Sequence, residues 1–90
     1  MGRTIIQDQA EWDKWKGTLV LDEERLRFER PCLPPGNFAV CFDLPIAEID
    51  ATVEGSVRRT LICNFRSQRY AVKVKNPQEW VKLLRVLHGR

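Results

Sequence analysis

Two groups of basic residues give this 90-residue sequence its clearest indication of a binding chemistry. Arg25 and Arg27 are two residues apart in a stretch that alternates polar and apolar residues, so their side chains share one face of a predicted strand. Guanidinium groups hold phosphate oxygens through pairs of hydrogen bonds, which makes this face a candidate anion site. The acidic run 22–24 just before it repels an anion, so an ordinary solvated strand face is the alternative interpretation.

The second basic group occupies a later predicted strand, where Arg69, Lys73 and Lys75 project to the same side. Such a stripe suits anionic lipid head groups, at about 1 kcal/mol for each basic residue near the surface. Nucleic acid is disfavoured, because no aromatic residues lie between these charges to stack on bases. A face that serves solubility alone is the alternative here.

Residues that would carry catalysis or bind a metal form no pattern. The single histidine, His88, falls in the last turn of a predicted helix, where a cationic residue is ordinary capping. The sequence has no Gly-rich phosphate loop, no HExxH and no GxSxG. The three cysteines are odd in number and lack CxxC spacing: Cys32, Cys41 and Cys63. We therefore expect no enzymatic activity, no cofactor and no metal site.

Length, composition and charge predict one globular domain, which we expect to lie in the cytoplasm. It is 43% hydrophobic and 30% charged, which is typical of a globular domain with a modest core. The longest apolar run, 38–42, is far shorter than the roughly 20 residues that span a membrane. Residues 1–45 carry a net charge of −2 and residues 46–90 a net charge of +5. Peripheral attachment to an acidic surface therefore stays open.

The elements that must position these residues are six strands and a C-terminal helix. Asn76 and Pro77 mark the start of the helix, and the residues that follow place an apolar face at i, i+3, i+4 and i+7. We expect residues 1–14 to form an extension with a short helix that carries Trp12. The strands are predicted at 15–21, 25–29, 38–42, 46–54, 58–65 and 69–75, the third of them central or covered because it is apolar on both faces. A small antiparallel sheet with one helix closing its opening is the expected architecture.

The order of residues resembles that of GRAM and pleckstrin-homology-like (PH-like) domains. Trp15-Lys16-Gly17-Thr18-Leu19 with Arg25-Leu26-Arg27-Phe28 is similar to their G-x-L…L-x-F opening. Residues 44–49 are similar to their I/L-P-hydrophobic-x-x-I segment, and residues 70–80 resemble their last strand and capping helix. The resemblance implies that residues 15–90 form a partly open antiparallel barrel. It also implies a seventh strand, which must come from a split of segment 46–54 or from the N-terminus.

The resemblance also suggests where ligands bind. Inositol-phosphate binders of this type carry a lysine in the first strand and a basic-x-Arg pair in the second, which Lys16, Arg25 and Arg27 match. Related peptide binders add a partner strand beside the fifth strand, here 59–64. That placement makes Arg59 and Ile62 candidate protein contacts, although Ile62 is equally suited to a second core. Trp12, left uncovered, is a third candidate for a protein contact.

Together these patterns favour a non-catalytic interaction module that recruits a protein partner or binds an anionic membrane surface. The alternative is a self-associating structural domain that uses an exposed strand edge, forms a homo-oligomer and has no lipid ligand.

Overall fold

The computed structural model of the protein describes residues 3–55 and 60–89. These residues form seven strands, one 3-10 turn and one α-helix. In chain order the elements are β1 (Thr4–Trp12), β2 (Trp15–Asp22), β3 (Arg25–Cys32), β4 (Asn37–Pro45), the 3-10 turn (Ile46–Glu48), β5 (Asp50–Glu54), β6 (Thr60–Phe65), β7 (Gln68–Val74) and α1 (Pro77–His88).

All seven strands belong to one antiparallel sheet in the order β4-β3-β2-β1-β7-β6-β5. The sheet is not closed, and α1 packs against β5, β6 and the 3-10 turn. The predicted fold class is therefore confirmed: a mainly antiparallel β domain, open along one side and capped by a C-terminal helix, as in PH-like domains. No helix within residues 3–55 and 60–89 is long and apolar enough to cross a membrane.

The N-terminal segment corrects the sequence prediction, because residues 4–12 form a strand and not a short helix. β1 lies in the middle of the sheet, with β2 on one side and β7 on the other. A two-residue turn at Asp13 and Lys14, with φ of 49° and 70°, folds β2 directly back onto β1. Pairing on both sides outweighs the weak helix-start signal of the local sequence. The seventh strand thus comes from the N-terminus.

The core lies between the inner face of the sheet and α1. Trp80 is fully buried, and its Nε1–H donates to a carboxylate oxygen of Asp8, with 3.3 Å between N and O. An aromatic cluster continues the core where β1, β3, β4 and β7 face each other, formed by Trp12, Phe28, Phe42 and Tyr70. The helix that the sequence predicts at the C-terminus is confirmed, with its apolar face covered.

Gly17 fixes the spacing of two strands. A Cβ atom added there would collide with the carbonyl oxygen of Glu29 in β3 and press on the ring of Phe28. At Gly17 the backbone of β2 therefore approaches β3 more closely than a residue with a Cβ atom would permit.

Candidate interaction surfaces

The first basic group lies on β2 and β3, and both of its arginines are already engaged with carboxylates. Arg25 Nε is 2.6 Å from an Asp43 oxygen, and Arg27 Nη1 is 3.1 Å from an Asp22 oxygen. Lys16 has no ion pair among residues 3–55 and 60–89, but it lies four residues along β2 from Val20, the residue opposite Arg27. At about 3.3 Å per residue that is roughly 13 Å away. The three residues do not converge on one anion.

The acidic turn between β2 and β3 is a structural element. One carboxylate oxygen of Asp22 accepts the backbone N–H groups of Glu24 and Arg25, at 2.8 and 2.6 Å. Burial raises the pKa of Asp22, but these two hydrogen bonds and the charge of Arg27 together lower it by more than burial raises it. The pKa of Asp22 therefore lies below its ordinary value. The carboxylate therefore keeps its negative charge at neutral pH, beside the arginines that an anion would need.

The second basic group lies on the outer face of β7 and directly after its end, and it is also largely paired. Arg69 forms an ion pair with Glu54, and Lys73 Nζ is 3.7 Å from a Glu11 oxygen. These four side chains line a shallow cavity of about 630 Å³ that carries both signs of charge. Lys75 is exposed and has no ion pair in the described part of the chain. The face has mixed charge, and exposed pairs of this kind contribute little to stability.

The three candidate protein contacts fall in different environments. Trp12 packs inward, with its ring centroid 5.2 Å from that of Phe42 in an edge-to-face arrangement. Ile62 is only 4% exposed on the side of β6 opposite the main core, so its burial agrees with the second-core alternative. Arg59 lies outside the described residues.

The edge predicted at 59–64 is wrong, because β6 pairs with β5 on one side and β7 on the other. Segment 46–54 bends after a 3-10 turn, and its second half, β5, runs back along β6 and covers it. The strand beside the helix that is open on one side is therefore β5. A groove of about 340 Å³ separates it from the end of α1, where His88 Nδ1 lies 3.0 Å from the Ile46 carbonyl oxygen.

The other edge is β4, and it exposes apolar side chains. Phe38 is 62% exposed and Val40 54% exposed, both on the outer face of the sheet, and Leu33 in the adjoining loop is 88% exposed. We call Leu33, Phe38 and Val40 the β4 patch. The sequence predicts a central or covered strand at 38–42, and this is wrong: β4 pairs with β3 alone among the described strands. The proline-containing segment 31–35 just before the apolar stretch 38–42 indicates a strand at the edge of the sheet, because proline is tolerated where a hydrogen-bond ladder ends.

The regularity of β4 changes at Cys41. Phe28 of β3 lies opposite Phe42, whereas the next residue, Glu29, lies opposite Val40, so Cys41 is an extra residue in the ladder. From Asn37 to Val40 the strand pairs one to one with β3. The exposed apolar side chains thus belong to a short, regular segment that ends at a bulge.

Comparison with known proteins identifies no family for the chain. Its sequence matches no protein-family model, and no curated protein sequence matches it either. In the structure, residues 3–55 and 60–89 bring no three His, Cys, Asp or Glu side chains together at a metal-binding spacing. The functional argument therefore rests on the β4 patch and on the pairing of the basic residues.

Proposed function

We propose that this protein is a non-catalytic interaction module of the GRAM or PH-like type, working in the cytoplasm, and that it binds another polypeptide chain at the β4 edge. The observation that carries the proposal is the exposure of Phe38 and Val40 on a strand that has a neighbour on one side only. An added strand would take its affinity from main-chain hydrogen bonds and its specificity from contact with these alternate side chains.

The composition of β4 supports this assignment. Natural edge strands are commonly protected from pairing by lysines, by inward-pointing charges, by bulges or by prolines within the strand. From Asn37 to Val40, before the bulge at Cys41, β4 carries none of these. Its single charged residue, Asp43, lies after the bulge and is held by Arg25. The open segment therefore offers backbone groups and apolar surface without electrostatic protection.

A selection from a displayed library of random peptides tests the proposal. Peptides retained by the wild-type protein should be lost when Phe38→Lys and Val40→Lys are combined, since both changes put charges on the pairing surface. Val86→Lys is the matched control, because Val86 is as exposed as Phe38 but lies on α1. On adding a selected peptide, the backbone amides of residues 37–40 should exchange more slowly with deuterium. If the selection returns no peptide dependent on Phe38 and Val40, and the protein also does not self-associate through these two residues, the proposal is overturned.

An anionic membrane surface is the second candidate partner. The apolar and basic side chains at the end of the sheet that carries the β4 patch favour it. Leu33 projects from the loop between β3 and β4, and Lys16 on β2 is free of ion pairs in the described residues. The guanidinium of Arg30 lies 4.1 Å from the ring centre of Trp15 at the same end. Apolar side chains beside cations suit the interface of an acidic bilayer.

Co-sedimentation with vesicles tests this second candidate. Binding to vesicles containing phosphatidylserine, but not to neutral ones, should weaken as salt is raised and should fall on Leu33→Ser and Lys16→Glu. Vesicle binding that does not change with salt concentration, or that persists in both variants, would contradict the membrane assignment.

A further inference from the structure

We infer that the chain bound at the β4 edge is a second copy of this protein, joined by an antiparallel β4–β4 ladder around a two-fold axis at Ala39. This inference rests on the proposed function of the β4 edge and names its partner. The resulting dimer would continue one sheet through fourteen strands, seven from each copy.

Strand geometry selects the register. Residues directly opposite each other in an antiparallel ladder lie on the same face of the sheet. Phe38 and Val40 share the outer face, so a two-fold axis at Ala39 places each Phe38 opposite the partner's Val40. Asn37 then lies opposite the partner's Cys41, and the ladder ends at the bulge. An axis at Val40 would pair Phe38 with the partner's Phe42 across the bulge, where regular pairing is broken.

Charge explains why a second copy fits this edge. Self-pairing sets like charges against each other, so it suits a segment that has none. Between Asn37 and Cys41 there is no charged residue, and Asp43 lies beyond the paired segment. Contact between an aromatic and a β-branched side chain is among the favourable cross-strand pairs, and the two-fold axis provides it twice.

The opposite edge shows what prevents self-pairing. β5 exposes Asp50, Thr52 and Glu54 on one face. An antiparallel β5–β5 ladder centred on Thr52 would put Asp50 of each copy opposite the partner's Glu54, and like charges directly opposite are destabilising. Pairing of β4 with β5 of another copy would be head-to-tail, which makes a filament or a ring and not a closed dimer. The acidic β5 edge has no apolar residue on its outer face to meet Phe38, so the closed β4–β4 dimer is the favoured assembly.

Analytical ultracentrifugation tests self-association directly. A series from about 1 μM to about 1 mM covers the affinities expected of an interface smaller than about 1,200 Å². The wild-type protein should shift from monomer to dimer within this range. Phe38→Lys with Val40→Lys should remain monomeric, whereas Val86→Lys should dimerise like the wild type.

A charge exchange tests the register. In the variant that combines Phe38→Lys with Val40→Glu, each new lysine would face the new glutamate of the other copy, so dimerisation should return. Membrane insertion or binding of an unrelated apolar peptide would not be restored by this change. A variant that stays monomeric although its melting temperature is unchanged would exclude the register.

A designed disulfide tests the position of the axis. The Cα atoms of directly opposed residues in an antiparallel ladder are about 4.5–5.5 Å apart, which suits a disulfide. Ala39→Cys, made with Cys32→Ser and Cys41→Ser, should therefore form a covalent dimer on mild oxidation with diamide. Thr52→Cys at the centre of β5, made in the same background, is the control and should stay monomeric.

The outcomes separate this inference from the proposed function. A protein that is monomeric throughout and forms no Ala39→Cys dimer, yet binds peptides that depend on Phe38 and Val40, refutes self-pairing and keeps the β4 edge as a binding site. If such peptides are absent as well, both fail. Monomeric protein that sediments with acidic vesicles through the β4 patch assigns that patch to a membrane and overturns the inference.

Discussion

Replacement of Trp80 is the sharpest test of how α1 caps the sheet. The indole is fully buried, so truncation to alanine removes its whole apolar surface from the core and leaves a large cavity. Trp→Ala changes at such sites cost about 3–5 kcal/mol of unfolding free energy. A domain of 90 residues has about 5–13 kcal/mol in total, at 0.05–0.15 kcal/mol per residue. Trp80→Ala should therefore remove between a quarter and nearly all of the stability.

The polar contact of Trp80 can be separated from its packing. Trp80→Phe keeps most of the apolar surface but removes the Nε1–H donor to Asp8. A double-mutant cycle of Trp80→Phe with Asp8→Ala isolates that hydrogen bond, and we expect a coupling of about 1 kcal/mol for this long, partly exposed contact.

Urea unfolding followed by far-ultraviolet circular dichroism is the appropriate assay, because it does not depend on tryptophan fluorescence. The melting temperature of Trp80→Ala should fall by at least about 12 °C, at 4–8 °C for each kcal/mol in a domain of this size. Val86→Ala on the exposed side of α1 is the control and should change stability by less than about 0.5 kcal/mol. A Trp80→Ala protein within about 1 kcal/mol of the wild type would show that α1 does not hold the sheet together.

Three further predictions follow from the core and the β2–β3 turn. Gly17→Ala should lower the unfolding free energy by about 1–3 kcal/mol, because its Cβ would overlap the Glu29 carbonyl; an unchanged urea midpoint would contradict the close approach of β2 and β3. The folded state lowers the pKa of Asp22 from 3.8, so its stabilising effect is complete above about pH 4 and is lost as the pH falls toward the folded value. Asp22→Asn should accordingly lose less stability than the wild type between about pH 4 and pH 2, and parallel pH profiles would refute this. Burial raises the pKa of Cys63 to about 12, so Ellman's reagent at pH 8 should titrate the two half-buried thiols of Cys32 and Cys41 and reach Cys63 only after unfolding.

Hydrophobic periodicity was sufficient to predict α1 and most of the strands. The apolar face around Trp80 repeats at helical spacing over two turns, and Tyr70, Val72 and Val74 alternate over a full strand. Patterns of that length outweigh local irregularities. These patterns predicted the fold class, although they did not predict β1.

The N-terminal strand was missed because its local sequence carries two signals at once. Asp8 and Glu11 have the spacing of a helix start, while Ile6, Ala10 and Trp12 alternate as in a strand. Contacts with β2 and with β7, which lies some 60 residues further along the chain, decide between them. A local pattern contains no information on the second of these contacts.

The candidate sites were less predictable than the fold because they depend on which strands are neighbours. Arg69 and Glu54 are distant in sequence and meet only because β5 and β7 flank β6. If β1 is left out, β6 becomes the fifth strand of the sequence, and for that reason the predicted edge falls on β6 instead of β5. The exposure of Phe38 and Val40 follows from the same strand order, and its one local signal is the proline-containing segment 31–35 that precedes β4.

The position of β1 at the centre of the sheet also constrains how the chain folds. Strands β2 to β4 and β5 to β7 each form a ladder of neighbours, and β1 joins them through Ala10 opposite Val74 and Trp12 opposite Val72. During synthesis, therefore, the sheet cannot be completed until residue 74 has emerged from the ribosome, and until then one side of β1 has no strand to pair with. Contacts this far apart in sequence slow folding. A nascent chain whose central strand is still unpaired on one side exposes backbone groups and apolar side chains of the kind that chaperones protect from aggregation.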